Sequence, residues 1–236
     1  MAEPNPADEV TLIFHADTAD AVRVNLGRVA RRLAETVPVA RGYGPSRVWR
    51  FCPLRGRNVR PDAPHFALKR VGTNPITGRP PLTREFDFLS RLSSAYFPRP
   101  VGHGLLENGD YVIVSEWVEG RVLARDSVAI VGGMLEDHVY QRFCIDLMTI
   151  LARLQAAGIV HSDIWEPNII VRRDRPVLVD FGCAREPGET PVSPQLHQPD
   201  DTLAIAQVIK RLDALRDILL LEHQTRVHVG QERPQT

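Results

Sequence analysis

Apolar positions along this 236-residue chain follow two periods. In the first half, short β-branched and aromatic runs predict strands: "VTLIF" (10–14), the stretch after a glycine turn in "RGYGPSRVWRFCPL", "HFALKRV" and "YVIVSEWVEG" (111–120). A helical period enters between Asp17 and about Glu35, where Val22, Leu26, Val29 and Leu33 share a stripe. It returns in "LTREFDFLSRL" through Leu82, Phe86, Leu89 and Leu92. Beyond Gly120 helices dominate. One spans about Glu136 to Ala157, with Val139, Phe143, Leu147, Ile150, Leu151 and Leu154 inward and Gly158 placed to cap it. A last helix begins near Asp200 or Asp201, with Ala204, Val208, Leu212, Leu215 and Leu219 inward. Between the two lie the short strands "IIV" (169–171) and "VLVD", joined by a turn at "RRDRP", and then an irregular Pro-rich stretch over 183–200.

After the helix of the N-terminal extension, strands with one helix, followed by helices around two short strands, predict an α+β chain of two lobes joined near residues 116 to 120. The expected divisions are an N-terminal extension (1–38), a β-rich lobe (39–115), an α-rich lobe (116–222) and a flexible tail (223–236). The crevice between two such lobes is the default place for a ligand.

Composition narrows the function classes. The chain is 43% hydrophobic and 25% charged, with 29 basic side chains against 29 acidic. A formal net charge of zero supplies no general attraction to nucleic acid or an anionic membrane, and neither is expected as a partner. Basic clusters in "RFCPLRGRNVR" and "VRRDR" read as solvated loop charge. Cys52, Cys144 and Cys183 share no metal-ligand spacing and are odd in number, which points to a reducing compartment. The start "MAEPNPADEV" is polar and acidic, unlike a signal peptide, and no apolar run approaches membrane-spanning length. A soluble cytoplasmic protein is the expectation.

The candidate chemistry sits in "IVHSDIWEPNII" (159–170) and the following "VLVDFG". Asp163 and Asn168 lie in a polar loop between apolar runs, with Pro167 preventing a helix, and Asp180 ends the next strand. A hard cation such as Mg²⁺ prefers a few protein oxygens, here from Asn168 and Asp180, with water and phosphate completing the shell. Asp163 at the loop's start is placed to accept a proton from an attacking hydroxyl. Phosphoryl transfer needs little beyond such positioning and charge neutralisation. It also needs a cation for the phosphates. Lys69, on an apolar strand, is the candidate, and a lysine there requires an acidic partner. Glu85 lies on the apolar stripe of the next helix, whereas Asp87 is about 200° around it. His161 reads as a support of the loop through a backbone hydrogen bond.

Together "HSDIWEPN", "VDFG", "FALK" and "REFDFL" resemble the protein-kinase signature set of catalytic loop, metal-binding triplet, strand lysine and helix glutamate. "YVIVSEWVEG" resembles the hinge of that superfamily, and "LMTILARLQAAGIVH" the helix that leads into its catalytic loop. The resemblance covers residues 42 to about 212 and implies a bilobal kinase-like fold using ATP and Mg²⁺. It implies Asp163 as catalytic base, Asn168 and Asp180 as metal ligands, and Lys69 on the ATP phosphates, paired with Glu85. It further implies Gly42, Gly44 and Ser46 over the phosphates, backbone groups of Glu116 and Val118 toward adenine, and Ser115 at the back of the nucleotide pocket.

Several positions depart from the pattern. The third glycine of the phosphate loop is missing from "GYGPSR", Ser162 replaces the arginine before Asp163, and Trp165 stands where serine/threonine kinases carry a lysine. No Ala-Pro-Glu follows the Asp-Phe-Gly, and only 54 residues remain after Gly182, too few for the substrate-binding helices of large kinases. This resembles the economy of RIO, Bud-type and lipopolysaccharide kinases. The leading expectation is a minimal, atypical serine/threonine-protein kinase acting on a protein substrate. The alternatives are a kinase of small hydroxylated acceptors (a sugar, lipid head group or antibiotic) and a non-catalytic nucleotide-binding scaffold.

Overall fold

The structure is a computed structural model and describes residues 13–14, 40–41, 47–51, 65–71, 84–105, 111–190 and 200–231. Within these the chain forms two compact units, the first ending at Val118 and the second beginning at Glu119. The expected 17–35 helix lies outside the described residues, as do Gly42, Gly44, Ser46 and Cys52.

The first unit is built on a six-stranded antiparallel sheet. Its strands are β1 (Ile13–Phe14), β2 (Ala40–Arg41), β3 (Arg47–Phe51), β4 (Phe66–Val71), β5 (Pro100–Leu105) and β6 (Tyr111–Glu116), in the order β1-β5-β6-β4-β3-β2. β6 is central, and Tyr111, Val112, Ile113 and Val114 are all buried, so both of its faces are covered. Among the described residues of this unit one helix, α1 (Glu85–Arg91), buries Glu85, Phe86, Phe88 and Leu89. Phe86 stacks on His103 of β5, ring centroids 4.3 Å apart, which lays α1 against the sheet. Strand β5 has no counterpart among the predicted elements. Its proline and two glycines hide the period, and pairing to β6 is what makes it a strand.

The second unit holds a small antiparallel sheet of β7 (Arg121–Val122), β8 (Ile169–Arg172) and β9 (Arg175–Leu178), in that order. Its helices are α2 (Leu123–Gly132), α3 (Asp137–Ala156) and α4 (Asp201–Gln231). Gly120 precedes β7 at a point where an added Cβ would meet the Val171 carbonyl oxygen at 2.4 Å, so only glycine fits. The β8–β9 turn places Arg173 (φ 50°) and Asp174 (φ 63°) both in the left-handed region, as a two-residue type I′ turn requires.

Helix α3 packs Tyr140, Phe143, Leu147, Ile150, Leu151 and Leu154 inward, each fully buried side chain contributing about 1.5–3 kcal/mol. Tyr140 is buried where the pattern suggested Val139, which is half-buried. The helix ends in a Schellman motif. Gly158 (φ 62°) donates its N–H to Gln155 O, and Ile159 donates to Leu154 O at 2.9 Å. Asp200 caps α4 through bonds to the Thr202 and Leu203 N–H groups, and these bonds lower the pKa of its carboxyl.

Residues 223 to 231 correct the expected tail: they continue α4. No proline interrupts them, and Thr225 and Arg226 tie back to Leu221 and Glu222 one turn earlier. Two polar ties join α4 to α3. Tyr140 donates to Asp213 Oδ1 at 2.8 Å, and Arg216 donates to Leu135 O and the Asp137 carboxylate. No helix among the described residues is long and apolar enough to cross a membrane.

Candidate active site

In the first unit, β4 carries Lys69 between β3 and β6, opposite Val48 and Ile113. Its ammonium donates to Glu85 Oε2 at 2.8 Å, with both side chains almost wholly buried (10% and 6% exposed). Asp87, the other acid of α1, is exposed. Directly opposite residues of an antiparallel pair share a face, so Lys69, Ile113 and His103 lie on one side of the sheet, with Tyr111 two residues along β6. Tyr111 is buried beneath α1, where burial and then the Glu85 charge push its phenol well above its ordinary pKa.

The end of β6 carries the expected adenine-facing groups. The Glu116 N–H donates to Arg99 O at 2.8 Å and the Trp117 N–H to His65 O at 3.1 Å. Any contribution of Glu116 to a base therefore comes from its carbonyl. Val118 is buried, and Ser115 is half-buried opposite Ala67 and Pro100.

In the second unit, the chain leaves the α3 cap and enters the Asp163 loop. Asn168 closes that loop by donating its amide nitrogen twice, to Asp163 O and to Asp163 Oδ2, both at 2.9 Å. These bonds commit the nitrogen end, which leaves the amide oxygen as the donor atom for a cation. A 3₁₀ turn (Glu166–Asn168) with Pro167 inside it shapes the return into β8. The Val179 N–H then donates to Asn168 O at 2.9 Å, setting Asp180 at the end of β9 beside the loop. Asp180 is itself left-handed (φ 66°) and accepts the Gly182 N–H on Oδ1. An Asn oxygen and an Asp carboxylate are the hard donors that Mg²⁺ takes, so this pair fits such an ion.

Asp201 was not among the predicted site residues. It is buried in the first turn of α4, and its carboxylate accepts the His161 N–H at 2.6 Å and the Ser162 N–H at 2.9 Å. Ser162 is left-handed (φ 66°) and its Oγ accepts from Arg185 Nε at 3.1 Å. His161 is fully buried, meets Phe181 edge-on at 4.7 Å, and lies with Nε2 3.2 Å from Val179 O. Burial depresses its pKa, against the opposing pull of Asp201, Asp180 and Asp163, so a neutral ring spacing the loop from β9 is favoured. One signal in the chain pointed to Asp201: two adjacent aspartates open a helix that only one of them can cap.

A RIO domain profile matches residues 62–200, more than half of the chain. The chain belongs to the RIO family. That family is part of the protein-kinase-like superfamily, and the β-sheet first unit and helical second unit are those of an α+β kinase-like fold. The span matched as a RIO domain takes in Lys69, Glu85, Glu116, Val118, Asp163, Asn168 and Asp180. The chain is also similar to serine/threonine-protein kinase PknA of Nostoc sp., 37% identical over 90 residues, or 37% of this chain and 16% of that protein. It is 32% identical to serine/threonine-protein kinase RAD53 of Saccharomyces cerevisiae over 142 residues, 58% of this chain and 17% of the relative. This RIO domain thus spans about one-sixth of the length of these curated relatives.

Proposed function

We propose that this RIO domain is an ATP- and Mg²⁺-dependent phosphotransferase that transfers a phosphoryl group to a serine or threonine hydroxyl of a protein. The observation that carries the reading is the pair of hydrogen bonds that Asn168 donates to Asp163, because they order a carboxylate and an amide oxygen on one short loop. In this reading Asp163 orients the acceptor hydroxyl and takes its proton as the oxygen attacks. Lys69, held extended and charged by Glu85, holds the nucleotide phosphates, and the Glu116 carbonyl and Val118 backbone meet the base. Asn168 and Asp180 hold the cation, which neutralises phosphate charge when bound.

Nucleotide binding is tested first, because it needs no acceptor. Mg·ATP at a hundredfold excess over its dissociation constant stabilises a protein by about 2.7 kcal/mol. For a chain of this size that raises the melting midpoint by several degrees, at about 2–4 °C per kcal/mol. Asp180→Asn is expected to diminish the rise. In transfer assays Asp163→Ala is expected to lose at least about 10²-fold in rate. No Mg·ATP-dependent shift in the wild type would replace this reading with that of a non-catalytic scaffold.

A second reading concerns only the acceptor. Trp165 is half-buried in the loop, two residues past Asp163, where protein-directed enzymes of the superfamily carry lysine. It favours a small hydroxylated acceptor, and a panel of such acceptors set against generic protein substrates separates the two.

A further inference from the structure

Helix α4 reaches the Asp163 loop at two places. Asp201 takes the backbone N–H groups of His161 and Ser162 just before the base. Roughly 15 Å along the helix axis, at 1.5 Å per residue, Arg211 makes a two-pronged contact with the Glu166 carboxylate, through Nε to Oε1 and Nη2 to Oε2. Glu166 opens the 3₁₀ turn whose last residue is Asn168. The entry to the loop is thus held through its backbone N–H groups, and its exit by a side-chain fork together with the Val179 N–H on Asn168 O, with Asp163 between them.

The fork differs in kind from the entry bonds. Arg211 is half exposed and Glu166 mostly covered (54% and 18%), so the pair adds little to global stability in water. Its geometry is nevertheless the planar, bidentate one that fixes orientation. The turn it orients carries the amide that donates to Asp163, through Trp165 O, the Asn168 N–H and the Asn168 side chain.

We propose that Arg211 is a positioning residue: through Glu166 it holds the 3₁₀ turn so that Asn168 keeps its nitrogen on Asp163 and its oxygen toward the cation. The inference rests on the phosphotransferase reading above for its consequence, but not for the clamp itself, and the experiment separates them.

In the full chain without ligand, Arg211→Ala is expected to speed amide exchange at Asn168 and Val179 about tenfold or more, leaving His161 and Ser162, held by Asp201, unchanged. The melting midpoint should fall by no more than about 4 °C. In the second arm, Mg²⁺ is titrated at fixed ATP with thermal stabilisation as readout. The half-saturating Mg²⁺ concentration is expected to rise about 10- to 100-fold, as when the support of a metal ligand is removed. Glu166→Gln should act in the same direction, and Arg211→Ala with Glu166→Gln should be no worse than the stronger single change. Arg211→Lys, with the charge but not the fork, should recover only part. Unchanged exchange at Asn168 overturns the clamp whatever the nucleotide does. Faster exchange with an unchanged Mg²⁺ midpoint overturns the positioning role. A wild type that shows no Mg·ATP stabilisation removes the phosphotransferase reading and with it the role, while faster exchange in the variant still establishes the clamp.

Discussion

In the first unit, Lys69 and Glu85 meet side chain to side chain, buried between a sheet and a short helix. In the second, Asp163 and Asn168 meet on a half-buried loop whose backbone is gripped from outside, by Asp201 before Asp163 and by the Val179 N–H after Asn168. One centre spends its charges on each other. The other adds a carboxylate and an amide from neighbouring segments to the bonds that its own Asn168 side chain makes, and so fixes its main chain from outside as well as from within. The difference teaches where each centre is vulnerable: a buried pair fails by losing either charge, a loop by losing an anchor that carries no chemistry of its own.

The largest expected effect comes from Asp201→Ala. It strips the His161 and Ser162 N–H groups, both fully buried, of their acceptors. Two hydrogen bonds to a charged group, at about 1.5–3 kcal/mol each, put the loss near 3–6 kcal/mol. That is a fall in the thermal midpoint of roughly 6–24 °C. A fall within about 2 °C would mean that the loop does not depend on α4, and the contrast between the two centres would collapse.

Lys69→Met comes next. It leaves Glu85 buried without its cation, at about 3–5 kcal/mol. The double change Lys69→Met with Glu85→Leu should recover most of that stability, since replacing both charges by apolar groups is often neutral. It should not recover Mg·ATP-dependent stabilisation. Recovery of stability without recovery of nucleotide binding, both read by thermal melts, sharpens the comparison. Recovery of both would remove Lys69 from the site.

How much of this was legible depends on how far apart the partners lie in the chain. A lysine between apolar strand residues demands an acid, and helical period alone separates Glu85 from Asp87. Asp163 and Asn168 are five residues apart, and the proline between them keeps an α-helix from running through the loop, so their meeting is local. The α3 stripe and the glycine that ends it are local as well. What sequence reasoning missed is non-local or irregular. Asp201 lies 40 residues from His161, and Arg211 45 from Glu166, separations at which periodicity carries no information. Helix α2 escaped because non-helical Asp126 (φ −113°, ψ 18°) breaks its period. Phe88, outside the predicted stripe of α1, is buried with the Arg84 and Arg91 guanidinium groups over its ring, 4.8 and 5.5 Å from the centroid.

A smaller effect separates the two centres by pH. His161 is held neutral by burial, its folded pKa below the ordinary 6.5 that it regains on unfolding. The unfolded chain therefore binds a proton in that window that the folded chain does not, and stability present above pH 6.5 is lost as pH falls below it. Thermal midpoints of the wild type should decline on acidification from neutrality, and those of His161→Gln should decline less over the same range. Parallel profiles for the two proteins would assign the acid sensitivity elsewhere.

The smallest effect tests the grip on the loop most closely. Ser162 stands at φ 66°, a conformation that a side chain adopts at about 1–2 kcal/mol, and its Oγ accepts from Arg185. Ser162→Ala keeps the strain and loses the bond, so about 1.5–3 kcal/mol should go. Ser162→Gly loses the same bond but relieves the strain, and the two changes nearly offset. The usual order, in which glycine destabilises more than alanine, should therefore invert here. The inversion depends on Asp201 holding both neighbouring N–H groups, because a loop free to relax would let alanine leave the left-handed region. Thermal melts of the two variants read it directly: glycine above alanine means that the backbone at Ser162 is imposed by α4, and alanine at or above glycine means that the loop shapes itself.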